Sequence, residues 1–110
     1  MNQMKLRNRE CLILAVLWIL VAALPASAHT LYMNLVDNED GTATVEAMFS
    51  TGSTGAGLPL YLEGENQQVI KKLVLDANGE ATFDIPDQAY TVFLDGGPGH
   101  TVREEGPPKP

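Results

Sequence analysis

The stretch Thr42-Ala43-Thr44-Val45-Glu46-Ala47-Met48-Phe49 alternates apolar and polar side chains with a period of two. Its apolar set, expected on a buried face, is Ala43, Val45, Ala47 and Phe49, and its polar set is Thr42, Thr44 and Glu46. Strict alternation predicts a half-buried β-strand, because successive side chains of a strand point to opposite faces. This is the clearest secondary-structure signal in the chain, and it predicts a β fold.

The same period recurs on both sides of this strand and predicts further strands at 30–36, 58–62, 69–75, 81–85 and 89–95. Asp37-Asn38-Glu39-Asp40-Gly41 predicts a turn that joins the first two strands as a hairpin. Asn78-Gly79 favours a second hairpin, between the strands 69–75 and 81–85. Pro59 predicts that the strand 58–62 lies at a sheet edge or contains a bulge. No stretch after residue 28 has a convincing helical period. Residues 29–100 are therefore predicted to form one all-β domain, an antiparallel sandwich of six or seven strands.

The ends of the chain are predicted to lie outside this domain. Residues 1–10 carry three basic residues, Lys5, Arg7 and Arg9, against one acidic residue, Glu10, and residues 11–24 form an unbroken apolar run of 14. That run suits a signal helix and is shorter than the roughly 20 residues that cross a bilayer. The small residues Ala26 and Ala28 predict a signal peptide at 1–28 that is cleaved after Ala28, with an uncleaved membrane anchor as the alternative. The mature protein is then periplasmic or secreted. The proline-rich residues 101–110 are predicted to be a disordered tail.

Composition narrows the possible functions of the exported part. Cys11 and Trp18 both lie in the predicted signal peptide, so no disulfide can brace residues 29–110. The formal net charge of the whole chain is −7, and without residues 1–28 it becomes about −9. Nucleic acid is a poor partner for so acidic a domain, because phosphate binding needs a positive surface. Such a surface favours solubility and attracts cations.

The run DANGEATFDIP at 76–86 and the run AYTVFLDGGPGH at 89–100 follow a loop of small polar residues at 50–57. Together they resemble the carboxypeptidase-regulatory-like domain, an immunoglobulin- or prealbumin-like sandwich with a typical Asp-x-x-Gly-x-x-x-Phe hairpin. Asp76, Gly79 and Phe83 hold the hairpin positions. The closer resemblance is to small exported accessory subunits of nickel/cobalt transporters of the energy-coupling-factor type. Those often begin after a signal ending in Ala-His and finish near a Gly-His, as Ala28-His29 and Gly99-His100 do here.

His29 and His100 are the two histidines of the chain, and they are the candidate metal ligands. After cleavage His29 would offer its α-amino nitrogen and an imidazole nitrogen, and His100 would add a third nitrogen. Imidazole suits nickel, cobalt, copper and zinc, and a set of three nitrogens suits Cu(II) or Ni(II) best. The alternative is that His29 frays at a mobile terminus and that His100 is an ordinary exposed loop residue.

Other candidate ligands have weaker support. Met33 shares a face with Leu31 and Leu35 and is predicted to pack in the core, whereas Met48 lies on the polar face and stays open as a soft ligand for Cu(I). The acidic turns at 37–41 and 76–80 lack the complete ligand spacing of a calcium-binding loop and are predicted to be ordinary turns.

No catalytic arrangement is visible in the exported part. It has no cysteine nucleophile, no serine in a strand-turn-helix elbow and no carboxylates paired by their spacing. We therefore expect no enzyme, no catalytic or cofactor-binding residues and no small-molecule substrate; a copper oxygenase with an N-terminal histidine brace is the sharpest enzymatic alternative. The expected function, which the resemblance implies, is binding of nickel, cobalt or copper and help in its uptake beside membrane transporter subunits. The rival is a periplasmic immunoglobulin-like interaction module without a metal site.

Overall fold

The structure is a computed structural model that describes residues 29–110. Seven strands form two antiparallel sheets, in the orders β1-β2-β5 and β4-β3-β6-β7. The strands are β1 (Leu31–Asp37), β2 (Thr42–Phe49), β3 (Pro59–Glu63), β4 (Val69–Val74), β5 (Glu80–Asp84), β6 (Thr91–Asp95) and β7 (Thr101–Glu105). The prediction of an all-β domain of six or seven antiparallel strands is therefore confirmed. The predicted signal helix and its cleavage site up to Ala28 lie outside the described residues.

Strands β1 and β2 form the predicted hairpin, with Leu35 opposite Val45 and Leu31 opposite Phe49. The alternation of β2 is confirmed, since Ala43 and Val45 are completely buried while Glu46 and Met48 are exposed. The connecting turn is held by its own carboxylates. Asp37 accepts a hydrogen bond from the backbone N–H of Glu39 (2.9 Å), and Asp40 accepts one from Thr42 (2.9 Å).

One apolar core lies between the two sheets, as in a sandwich. Its largest fully buried side chains come from both sheets and are Leu60, Leu62, Ile85, Leu94, Val45 and Val92. Complete burial of one such side chain contributes about 1.5–3 kcal/mol. Because no disulfide braces this domain, the core carries most of its stability.

Strand β3 is central, so the expectation that Pro59 marks a sheet edge is wrong; the bulge of the β3–β4 pair lies beside Leu62, at the other end of the strand. β3 pairs with β4 on one side and with β6 on the other. Pro59 is tolerated because it is the first residue of the strand, where its missing N–H leaves the rest of the ladder intact.

The turn at 76–80 connects the two sheets, so the predicted hairpin between its flanking strands is wrong. β4 pairs with β3 in one sheet, and β5 pairs with β2 in the other. The turn itself forms as expected, because the Asp76 carboxylate accepts the N–H groups of Asn78 (2.9 Å) and Glu80 (3.0 Å). Gly79 adopts a φ of 75°, which favours glycine.

The prediction of a disordered tail at 101–110 is also wrong, because residues 101–105 form β7 beside β6. Residues beyond β7 are attached to the domain. The Gly106 N–H donates to the Tyr90 carbonyl (3.0 Å), and the Tyr90 hydroxyl donates to the Pro107 carbonyl (2.9 Å). Lys109 forms an ion pair with Asp87. The Tyr90 ring is buried edge-on against Phe83, so the tail is held by a residue of the core.

Candidate metal centre

His100 lies at the end of the loop that connects β6 and β7. This loop is closed by two backbone hydrogen bonds, from the Gly96 N–H to the His100 carbonyl (2.8 Å) and from the His100 N–H to the Gly97 carbonyl (2.9 Å). The Asp95 carboxylate accepts the Gly97 N–H (2.9 Å). The sequence places the Gly-His pair after the last predicted strand; the structure places it inside a hairpin. His100 is therefore held in a defined position.

The imidazole of His100 packs against the end of β2. Its ring lies edge-on to the Phe49 ring, with 6.3 Å between the centroids and 76° between the planes. Phe49 is the last residue of β2 and pairs with Leu31, the first residue of β1. The contact therefore places His100 beside the beginning of the first strand.

The start of the described chain is bound to the same end of β2. The Thr30 N–H donates to the Ser50 hydroxyl (3.0 Å), and the Ser50 N–H donates to the Thr30 carbonyl (2.8 Å). His29, which directly precedes Thr30, is exposed. Because Ser50 follows Phe49, the two histidines lie at the same end of the domain.

The β6–β7 loop packs closely on β1 at this end. A Cβ atom on Gly96 would lie 2.8 Å from Leu31 Cδ2 and 2.7 Å from the His100 carbonyl oxygen. A larger residue at position 96 would have to displace the Leu31 side chain and the His100 carbonyl. Gly96 therefore lets the His100 loop approach the first strand closely.

The side chains at this end do not form a complete metal site by themselves. Among residues 29–110, no group of three or more His, Cys, Asp or Glu side chains is arranged to hold a metal ion. The α-amino group that cleavage after Ala28 would create on His29 is the third donor that the sequence predicts.

Met33 and Met48 lie on the strand faces that the sequence alternation predicts. Met33 packs against the core, as predicted. Met48 is 52 % exposed and pairs with Tyr32 on the outer face of the three-stranded sheet. Since neighbouring residues of a strand point to opposite faces, Met48 points away from the Phe49 ring and from His100. It does not join the two histidines.

The acidic turns are turns held by their own carboxylates, as expected. Hydrogen bonds from the Thr42 hydroxyl and then from its backbone N–H lower the pKa of the Asp40 carboxyl. The Asp76 carboxylate accepts two backbone N–H groups of its own turn. These hydrogen bonds give Asp37, Asp40 and Asp76 a structural role in the two turns.

Sequence reasoning missed a row of side chains across the outer face of the four-stranded sheet. Lys72, Tyr61, Phe93 and Arg103 lie opposite one another on β4, β3, β6 and β7. The Tyr61 and Phe93 rings stack at 5.8 Å, the Arg103 guanidinium lies 3.8 Å from the Phe93 centroid, and Lys72 Nζ lies 5.7 Å from the Tyr61 centroid. Strand periodicity could have placed each residue on the outer face, but only the strand order and register align them.

Comparison with known proteins found no matching family model, no matching curated protein and no matching solved structure. Within the described part of the chain, no helix is long and apolar enough to cross a membrane.

Proposed function

We propose that the mature protein is an exported domain that binds a divalent transition metal through His29 and His100 and assists its uptake or handling. The observation that supports this proposal is that the His100 ring contacts Phe49, while Thr30, which follows His29, is hydrogen-bonded to the neighbouring Ser50. The metal is nickel, cobalt or copper, and the proposed partners are membrane subunits of a metal transporter.

The proposed donor set has three nitrogens: the α-amino group of His29, its imidazole and the imidazole of His100. Nitrogen ligands of this kind suit Cu(II) and Ni(II). An α-amino group titrates near pH ~8, so the metal must displace a proton there. Affinity should therefore fall as the solution becomes more acidic.

The proposed fold type is the immunoglobulin- or prealbumin-like sandwich of the carboxypeptidase-regulatory-like domain. Two antiparallel sheets around one core support it, as does the turn that Asp76 and Gly79 form before the buried Phe83. Export is supported by the composition of residues 1–28.

Titration calorimetry on the chain beginning at His29 tests the proposal, with Ni(II), Co(II) and Cu(II) added separately. The matched variant is His100→Phe, because phenylalanine keeps an aromatic ring against Phe49 and removes the nitrogen donors. We expect stoichiometric binding that weakens at least tenfold in this variant, or about 1.4 kcal/mol. Adding one residue before His29 should weaken binding at least as much, because it replaces the proposed chelating amine with an amide. Binding that neither change affects would refute the proposed ligand set.

A second function, an interaction module without a metal, is favoured by one specific observation. Val69, Ile70 and Val74 of β4 expose large apolar side chains at the edge of the four-stranded sheet. A protein that binds none of the three metals but retains a protein partner through this edge would support the second function instead.

A further inference from the structure

Strand β4 forms one edge of the four-stranded sheet, and its free side has a chemical character unlike the rest of the domain. Val69, Ile70 and Val74 are 52 %, 38 % and 60 % exposed. Lys71 and Lys72 lie between them and are exposed as well. The edge is therefore both apolar and basic, on a chain whose formal net charge is −7.

The two lysines are the cations of the described chain that form no ion pair within it. Residues 29–110 contain four basic side chains, those of Lys71, Lys72, Arg103 and Lys109. Arg103 pairs with Glu63, and Lys109 pairs with Asp87. Lys71 and Lys72 have no carboxylate within 4 Å among the described residues, although the domain is rich in acids. Lys72 lies over the Tyr61 ring, but no described carboxylate neutralises either lysine, so both can pair with carboxylates of a partner.

The backbone of β4 also offers hydrogen-bonding groups on its free side. Leu75 directs both of its backbone groups towards β3, since its N–H donates to the Leu58 carbonyl (3.0 Å) and its carbonyl accepts the Gly57 N–H (3.0 Å). Residues of an antiparallel strand alternate in this respect. Leu73 therefore also faces β3, while Val74 and Lys72 direct their N–H and carbonyl groups outwards. No described strand pairs with that side of β4.

The charges of this edge oppose self-pairing in one register. In the two-fold antiparallel register centred on Lys72, the Lys72 side chains of the two copies would lie directly opposite each other, and like charges in that position are destabilising. Lys71 lies opposite the buried Leu62 and so on the inner face of the sheet, which is a common protection of edge strands. The register shift beside Leu62 leaves Ile70 as an extra residue, a bulge that further limits pairing to the Lys72–Val74 part.

We propose that β4 is a docking edge for an extended acidic segment of a partner protein, which adds to the sheet as an antiparallel strand beside Lys72 and Val74. Backbone hydrogen bonds would supply affinity, and carboxylates opposite the lysines would supply selectivity. Apolar side chains of the added strand would cover Val74 and Ile70. The same charges that oppose a second copy favour this partner. The proposal does not depend on the metal site proposed at His29 and His100.

NMR titration of the chain from residue 29, which contains both sheets and the whole core, tests the proposal. The probe is a synthetic peptide in which two adjacent glutamates are flanked on each side by two valines, so that carboxylates can lie opposite Lys71 and Lys72 and valines opposite Ile70 and Val74. Its control replaces each glutamate with lysine. We expect the acidic peptide to shift the amide signals of residues 69–75 and the lysine peptide to leave them unchanged. No shift with about 1 mM acidic peptide, or equal shifts with both peptides, would overturn the proposal, because weak specific complexes have Kd values of this order or tighter.

Two variants separate the charge from the backbone. Lys72→Gln should weaken binding of the acidic peptide about fivefold, whereas Lys109→Gln, which removes the same charge from the C-terminal segment outside β4, should leave it unchanged. Val74→Pro removes an N–H that points to solvent and should abolish strand addition while β3 and β4 stay paired. A Val74→Pro protein that is folded by circular dichroism and binds like the parent would overturn strand addition. Sedimentation showing that the chain alone dimerises through β4 would assign the edge to a second copy and would overturn the proposal too.

Discussion

Replacing Tyr90 by phenylalanine removes one hydroxyl group and therefore tests how the C-terminal residues are attached. The Tyr90 hydroxyl donates a hydrogen bond of 2.9 Å to the Pro107 carbonyl, while its ring is buried against Phe83. Phenylalanine keeps the ring packing. Residue Pro107 is only partly buried, so water can replace the lost donor. The cost in unfolding free energy is therefore that of one ordinary hydrogen bond, about 1 kcal/mol.

The effect of Tyr90→Phe should also depend on pH at the alkaline end. Burial, together with the negative charge of Asp37, raises the pKa of the Tyr90 hydroxyl from 10.0 to about 12. In the unfolded chain this hydroxyl ionises near its ordinary value, so the unfolded state loses its proton first as the pH rises. The parent protein therefore keeps the contribution of Tyr90 below pH 10 and loses it between pH 10 and about 12. The phenylalanine variant has no such loss.

Thermal melts by far-UV circular dichroism measure both effects, at neutral pH and at a pH between 10 and 12. At neutral pH we expect Tm of Tyr90→Phe to lie about 4–8 °C below that of the parent. The difference should shrink at the alkaline pH. Tyr32→Phe serves as the control, because Tyr32 is 59 % exposed and its replacement should leave Tm nearly unchanged. A Tyr90→Phe protein with the parent's Tm at neutral pH would refute the hydrogen-bonded attachment of the tail, and a difference that does not shrink would refute the burial of this hydroxyl.

Gly79→Ala should lower the unfolding free energy by about 3 kcal/mol or more, because the new Cβ would lie 2.7 Å from the Ala47 carbonyl oxygen at a φ of 75°. Gly41→Ala is the control, measured by urea unfolding, because position 41 has a φ of 90° but open space around it. It should lower the unfolding free energy by only about 1–2 kcal/mol. Equal losses in the two variants would show that the contact of residue 79 with the Ala47 carbonyl is unimportant. Arg103→Leu should cost about 2 kcal/mol in the same assay, because it removes a cation over an aromatic ring and the partner of the buried Glu63 carboxylate. A cost below about 0.5 kcal/mol would indicate that water serves Glu63 equally well.

The sequence predicted the strands well because their information is local. In β2 the polarity of each side chain indicates which face of the sheet it occupies. Val45 is buried and Glu46 is exposed, as the alternation predicts. The pairing of strands across a turn is not local. Asp76 caps the 76–80 turn in the same way whether the next strand stays in the sheet or crosses to the other one. Packing of Phe83 in the core with β2 decides the outcome.

Strand β7 escaped prediction because its polar residues are stabilised by partners far away in the chain. Arg103 lies over the Phe93 ring and is paired with Glu63, so a cation there is compatible with a sheet position. Val102 is the one residue of β7 that packs against the core. A single apolar residue among charges gives no periodic signal. The attachment of Pro107 by Tyr90 likewise depends on a contact that composition does not reveal.

For the candidate metal centre, the sequence named His29 and His100 but could not say whether the chain brings them to one end. That depends on the hydrogen bond between Thr30 and Ser50, which holds the start of β1 at the end of β2, and on the contact of Phe49 with the His100 ring. These residues are ordinary in sequence, and only the register of β1 with β2 gives them this role. The cation and aromatic row on the other sheet was invisible for the same reason.

The most direct test of the proposed metal centre is electron paramagnetic resonance of the chain beginning at His29 with one equivalent of Cu(II). Nitrogen hyperfine couplings count the ligands and distinguish amine from imidazole nitrogen. We predict three nitrogens, one amine and two imidazoles, with one imidazole lost in His100→Phe. A Cu(II) signal with no imidazole coupling, or one unchanged in His100→Phe, would contradict the proposal that the two histidines bind one metal ion.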